Sequence, residues 1–187
     1  MTAMIELVPL RCIRCETPVP AEGDEMAWVC SQCGQGLLLI EQHGLESLDI
    51  NYSKAVPPGE KGQPYWIARG SVDLMREVHQ SWKSSRDGEA DRLWGQKRQF
   101  IIPAFSTSLD ELLKLSTFLF SNPPELIEGP ATPFEAVTLS PQDLSPLIEY
   151  IILAVEAGRS DDIKTISVSV EVEVPSLWIL PDFRRFL

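Results

Sequence analysis

Cys12-Ile13-Arg14-Cys15 and Cys30-Ser31-Gln32-Cys33 hold every cysteine of the chain, as two CxxC pairs with fourteen residues between them. Two residues between cysteines allow a tight turn that aims both sulfurs at one ion. Two such turns supply the tetrahedral set that Zn²⁺ prefers. Cys12, Cys15, Cys30 and Cys33 are therefore the candidate ligands of one structural zinc ion. Four thiolates leave no open position for a substrate, so an ion held in this way fastens the fold and catalyses nothing.

The flanks of the two pairs fit that reading. Ile5-Glu6-Leu7-Val8-Pro9-Leu10 reads as a short strand entering the first knuckle, and Thr17 to Glu25 is rich in turn formers. Met26-Ala27-Trp28-Val29 then returns as a strand into the second pair. Gly34 suits the left-handed backbone that a metal knuckle requires, and Gly36 keeps the exit loose.

Over about residues 5–40 the chain resembles the zinc-ribbon superfamily, through Arg11-Cys12-Ile13-Arg14-Cys15, a hairpin, and Trp28-Val29-Cys30-Ser31-Gln32-Cys33-Gly34. The resemblance implies one structural Zn²⁺ between two knuckles, with all four cysteines as ligands. Members act as nucleic-acid binders, polymerase and transcription accessories or protein-docking modules, so the resemblance implies a scaffold and not a task. Rubredoxin-like modules, which hold iron in similar knuckles for electron transfer, are the chemical rival. Glu16 stands where such sites usually carry Gly, and Ser31 where Pro is usual. A redox dithiol or disulfide is the third reading of the same residues.

Charge narrows the partners. The chain carries 27 acidic and 16 basic residues, net −11, which disfavours unspecific attraction to phosphate backbones. A basic island breaks this pattern: residues 61–98 are net +3. Within it Trp82 and Trp94 flank a polar stretch, with Lys83, Arg86, Arg92, Lys97 and Arg98 nearby, and segment 83–98 could stack bases and neutralise phosphates. Asp87, Glu89 and Asp91 dilute that charge, and a tryptophan at a loop edge more often packs onto its own domain.

No run approaches the length of about 18 apolar residues that crosses a bilayer, and Met1 to Glu6 has neither a basic nor an apolar leader region. The expectation is a cytoplasmic protein in a reducing compartment, without a membrane span.

Downstream, Asn51 to Pro64 contains Pro57, Pro58, Gly59, Gly62 and Pro64, and reads as a linker. The expected organisation is a zinc module over 1–50, a linker over 51–64 and an α+β domain over 65–187. In that domain Tyr65–Val72 and Gln99–Phe105 read as strands, while 73–83 continues as strand or helix. Ser108 and Glu111 open a helix through Phe120 that Asn122-Pro123-Pro124 stops. Phe134–Leu139 alternates as a third strand, and Ser140-Pro141 opens a second helix through Val155 that ends at Gly158. Strand–helix stretches over 100–121 and 134–155 suggest a duplicated unit. Ile163 to Val174 alternates strictly, as a strand with one wet face. The tail from Leu177 to Leu187 is apolar enough to pack on the domain or on another chain. The fold class is thus α+β, a four-cysteine zinc ribbon followed by two main helices against a mostly antiparallel or mixed sheet.

Catalytic groups are scarce. His43 and His79 are the only imidazoles, the cysteines are claimed by metal, and no phosphate loop, GxSxG elbow or HExxH helix is present. The leading functional expectation is a non-catalytic zinc-binding adaptor or assembly subunit that meets a protein partner or a second copy of itself. The alternatives are a nucleic-acid or transcription accessory using the ribbon and segment 83–98, and an iron electron-transfer module.

Overall fold

Residues 10–21, 23–41, 43–78, 92–158 and 163–187 are described by the structure, a computed structural model. Three short strands, β1 (Ala27–Val29), β2 (Gly36–Ile40) and β3 (Gly44–Ser47), form an antiparallel sheet in that order. A second, mixed sheet contains β4 (Ile50–Tyr52), β5 (Gln63–Val78), β6 (Arg98–Pro103), β7 (Ile163–Val172) and β8 (Ser176–Leu180). Helices α1 (Leu109–Ser121) and α2 (Leu144–Ala157) lie between β6 and β7 in the chain.

In the second sheet every strand but β4 pairs with β5. Its first half takes β6 on one edge (Tyr65 to Gly70 against Pro103 to Arg98) and β8 on the other (Gln63 to Ile67 against Leu180 to Ser176). Beyond that, β7 pairs with Gly70 to Val78. Gly70 pairs with both Arg98 and Val172, so β7 runs along the β8 edge, and the two are halves of one strand interrupted at Glu173-Val174-Pro175. The ladder survives the interruption through Glu173 N–H donating to Arg69 O at 2.8 Å. Parallel pairing of β4 with β8 (Ile50 to Tyr52 against Leu177 to Ile179) makes the sheet mixed.

Side chains alternate across a strand, so β5 feeds two clusters. Trp66 and Ala68 enter one with Phe100, Ile102 and Leu177; Tyr65 and Ile67 enter another with Ile101, Phe105 and Leu180. Because both faces are covered, Tyr65 to Ala68 read as an unbroken apolar run. From Ser71 to Met75 the burial alternates, with Val72 and Leu74 inward and Asp73 and Met75 outward. The stretch left open between strand and helix is therefore strand as far as Val78.

Both helices form where their caps stand. Ser108 accepts a bond from Glu111 N–H, a cap worth about 1 kcal/mol, while the Glu111 carboxylate accepts from Thr107 Oγ1–H at 2.7 Å instead of closing the box onto Ser108. Asn122 ends α1 by bonding Phe118 O through backbone and side chain. Ser140 caps a 3₁₀ turn, Pro141–Asp143, that leads into α2. Leu144, Ile148, Ile151 and Ile152 of α2 are buried in the Trp66 cluster.

One expectation needs correction. Residues 134–139 form no strand: Phe134 bridges Gly62 and Val137 bridges Ala27, each singly, while Thr138 N–H bonds Ala104 O. An extended segment that changes partner every two or three residues builds no ladder, so only the first strand–helix stretch has its strand. The tail packs back on its own chain, with Phe183 5.9 Å from Tyr65, Phe186 6.2 Å from Phe118 and Arg184 over the Phe105 ring. The Pro/Gly stretch 51–64 carries part of β4, and Ser53 and Gly62 bridge Glu128 and Phe134.

The first sheet is joined to the second through its core. β2 is buried on both faces: Leu38 and Ile40, with Ala27 of β1, belong to the Trp66 cluster, whereas Leu37, with Trp28, lies under the cysteines. Ile40→Ala is expected to lower the stability of the whole chain by about 2–5 kcal/mol. Thermal unfolding followed at separate wavelengths for helix and for tryptophan should then shift as one transition; a helix signal that keeps its midpoint would show that the boundary at 51–64 divides two independent cores.

Candidate metal centre

The sulfurs of Cys12, Cys15, Cys30 and Cys33 all lie within 4.8 Å of one another. Cys12 Sγ is 3.6 Å from Cys33 Sγ, and Cys15 Sγ is 3.5 Å from Cys30 Sγ. Corners of a tetrahedron around an ion with metal–sulfur bonds of about 2.3 Å are about 3.8 Å apart. The separations therefore match a shared ion, and they are far too long for disulfides; all four cysteines are free. The cluster could hold one metal ion.

Two turns of near-identical design position the four cysteines. In the first, Glu16 N–H bonds Cys12 O at 2.9 Å and Cys12 N–H bonds Thr17 O at 2.9 Å. In the second, Gly34 N–H bonds Cys30 O at 2.9 Å and Cys30 N–H bonds Gln35 O at 2.8 Å. Each turn closes on a left-handed residue, Gly34 at φ 72° and Glu16 at φ 60°. The second knuckle thus has its glycine, and the first imposes the same conformation on a residue with a Cβ, at a cost of about 1 kcal/mol. Gly36, expected to loosen the exit, instead starts β2 where the Leu48 carbonyl passes too close for any side chain.

Beneath the sulfurs lies a small apolar layer of Trp28, Leu37 and the buried pair Cys12 and Cys30, joined by Leu10, Val19, Leu39 and Leu45. Cys15 and Cys33 are half-exposed. The electrostatics are those of a crowded anion site. Burial opposes ionisation of Cys12, but the amides of Arg14 and Cys15 outweigh it and hold the thiol below its ordinary value. Cys15, 3.3 Å from Thr17 Oγ1, is held at about 6 by the Thr17 hydroxyl and amide. Around Cys33 the Gln35 amide favours the thiolate, yet desolvation and the three neighbouring sulfurs push it up to about 12. Four thiolates this close would need a cation between them.

Other sequence candidates are dispersed. His43 is exposed, with Nδ1 3.2 Å from Glu46 Oε1. His79, Trp82, Lys83 and Arg86 lie outside the described residues. Trp94 is 3% exposed and donates to buried Glu156 at 2.8 Å, stacked on Phe120, so it offers no platform for a base. Lys97 pairs with Glu173, and Arg98 donates to the carbonyls of Leu93 and Arg92. Sequence reasoning missed Thr17, whose place two residues after Cys15 is its only signal, and the Trp94–Glu156 bond, whose partners are 62 positions apart.

Among the described residues no helix is long and apolar enough to cross a membrane. Comparisons with protein families, with curated proteins and with solved structures found no match.

A methyl group added at Gly34 meets nothing within 4 Å, so Gly34→Ala isolates the cost of the left-handed backbone. It should lower stability by about 1–2 kcal/mol, while Glu16→Gly should leave it unchanged or raise it by up to about 1 kcal/mol. Denaturant titration of the metal-loaded protein measures both; a loss from Glu16→Gly larger than that from Gly34→Ala would mean that backbone strain does not govern the knuckles.

Proposed function

We propose that Cys12, Cys15, Cys30 and Cys33 bind one structural Zn²⁺ in a zinc-ribbon-like module, and that the protein is a non-catalytic adaptor or assembly subunit acting through protein contacts. The observation that carries the reading is the cluster itself. Four sulfurs within 4.8 Å complete a tetrahedral shell, so the ion has no position left for substrate and serves to hold the two knuckles on β1 and β2. Zinc suits such a set because it has no redox chemistry and accepts four thiolates without strain. The β2 residues beneath the site also close the Trp66 cluster, so the ion would support the larger core as well as the knuckles.

Contacts between proteins fit the remaining surface better than contacts with nucleic acid. The net charge of −11 repels phosphate, and Trp94, Lys97 and Arg98 are already engaged within the chain. The exposed apolar side chains Ile13, Val29 and Val174 are of the kind that a protein partner covers.

Metal analysis with native mass spectrometry of the full-length protein tests both halves. The expected result is a colourless protein with one zinc per chain, found with a partner or a second copy in extracts of its native cell. Stoichiometric iron and visible colour would replace zinc with an electron-transfer centre. A monodisperse monomer that captures no protein would remove the adaptor.

A further inference from the structure

The buried apolar run of β5 ends at a charge. Tyr65 to Ala68 are buried, and Arg69 is exposed. Residues directly opposite in an antiparallel ladder share a face of the sheet. Arg69 therefore stands in a row with Gln99 of β6 on one side and, on the other, with Glu173, whose N–H bonds the Arg69 carbonyl. The next row on that face holds Ile101, Ile67 and Ser176, and the one after it Tyr65 and Trp178. Tyr65, Ile67 and Ile101 join Leu115 and Leu119 of α1 in one cluster, and the Arg69 row lies past its end.

A cavity of about 310 Å³ opens there, with Ile67, Leu126 and Trp178 as its apolar wall. Arg69, Gln99 and Ser176 also line it. Among the described residues, no side chain or carbonyl takes a hydrogen bond from the Arg69 guanidinium, the Gln99 amide, the Ser176 hydroxyl or the Trp178 indole N–H, and Arg69 has no ion pair. Glu173 is the other charged lining residue, and its carboxylate is engaged. Lys97 donates to it and holds it below its ordinary value, while Arg69 adds a smaller pull without bonding it. The cleft thus offers donors without acceptors beside an apolar wall. A planar guanidinium with amide and indole N–H groups near it suits a carboxylate. An Asp or Glu side chain carries no apolar group beside its carboxylate, whereas the last residue of a chain does.

We propose that this cleft binds the terminal carboxylate of a partner chain that ends in an apolar residue. The carboxylate meets Arg69 and Gln99, and the last side chain lies on Ile67, Leu126 and Trp178. The volume is that of a small-ligand site, which suits one residue and not a folded surface. This site rests on the adaptor reading and gives the partner's chemistry.

The probes are N-acetyl-leucine and its carboxamide, titrated into the isotope-labelled, zinc-loaded full-length protein while the tryptophan indole N–H resonances are followed. Trp178→Phe identifies the resonance of Trp178. Saturable movement of that resonance with the acid and none with the amide is expected. Arg69→Gln, at an exposed side chain, should weaken binding about tenfold or more, and Arg69→Lys, which keeps the charge and loses the fork, should restore part of it. Zinc content and far-ultraviolet circular dichroism confirm the fold of each variant. No movement, the same response to acid and amide, or equal affinity in Arg69→Gln overturns the site. Displacement by equimolar inorganic phosphate would mark a cleft that ignores the apolar body, and free leucine binding as tightly as N-acetyl-leucine would mark a small-molecule site; each overturns a chain terminus as the ligand. Complexes captured from cell extract that persist in Arg69→Gln would sink this site while leaving the adaptor standing.

Discussion

The pairing along β5 is the constraint from which the larger sheet follows. Tyr65, Trp66 and Ile67 have ladder partners on both edges, β6 on one and β8 on the other. Their side chains alternate between two clusters, so neither edge nor either face of this stretch meets water. A strand enclosed on four sides admits few alternatives of register, because a one-residue slip would exchange the indole of Trp66 for the phenol of Tyr65 in clusters shaped for the other. That one strand sets where β6 ends and α1 begins, and where the β7–β8 strand must break.

The cysteine cluster is tied to this frame through three residues. Ala27, Leu38 and Ile40 point away from the sulfurs into the cluster around Trp66, while Trp28 and Leu37 point back beneath them. An ion between the knuckles would therefore do more than close a loop. It would fix the layer on which β1 and β2 rest, and through their other face it reaches the wall of the main core. A metal held there would in this way support both layers at once.

Much of this was legible in the chain, wherever the signal was local. The CxxC spacing places four sulfurs together with no other information. Ser108 and Ser140 announce their helices because a cap needs only the next three residues. Thr165 to Val172 shows its period because one face is wet. Where partners are distant, the sequence was mute or misleading. Asn51 and Tyr52 read as the start of a linker, because the partner of their strand, Leu177–Ile179, lies at the far end of the chain. Phe134–Leu139 alternates as a strand does, yet it is held by scattered bonds to Gly62, Ala104 and Met26. Nothing local distinguishes such a segment from a true strand. Gly36 was misread for a related reason: its smallness answers the Leu48 carbonyl, which the sequence does not place above it.

The two knuckles close on unlike residues. Gly34 adopts its left-handed backbone freely, and Glu16 is held in the same conformation against its preference. The first turn is therefore the one that gains by relaxing, and its Cys15 sits half-exposed while Cys12 is enclosed. The two halves of one cluster are therefore alike in burial and unlike in backbone strain, which the first turn alone carries.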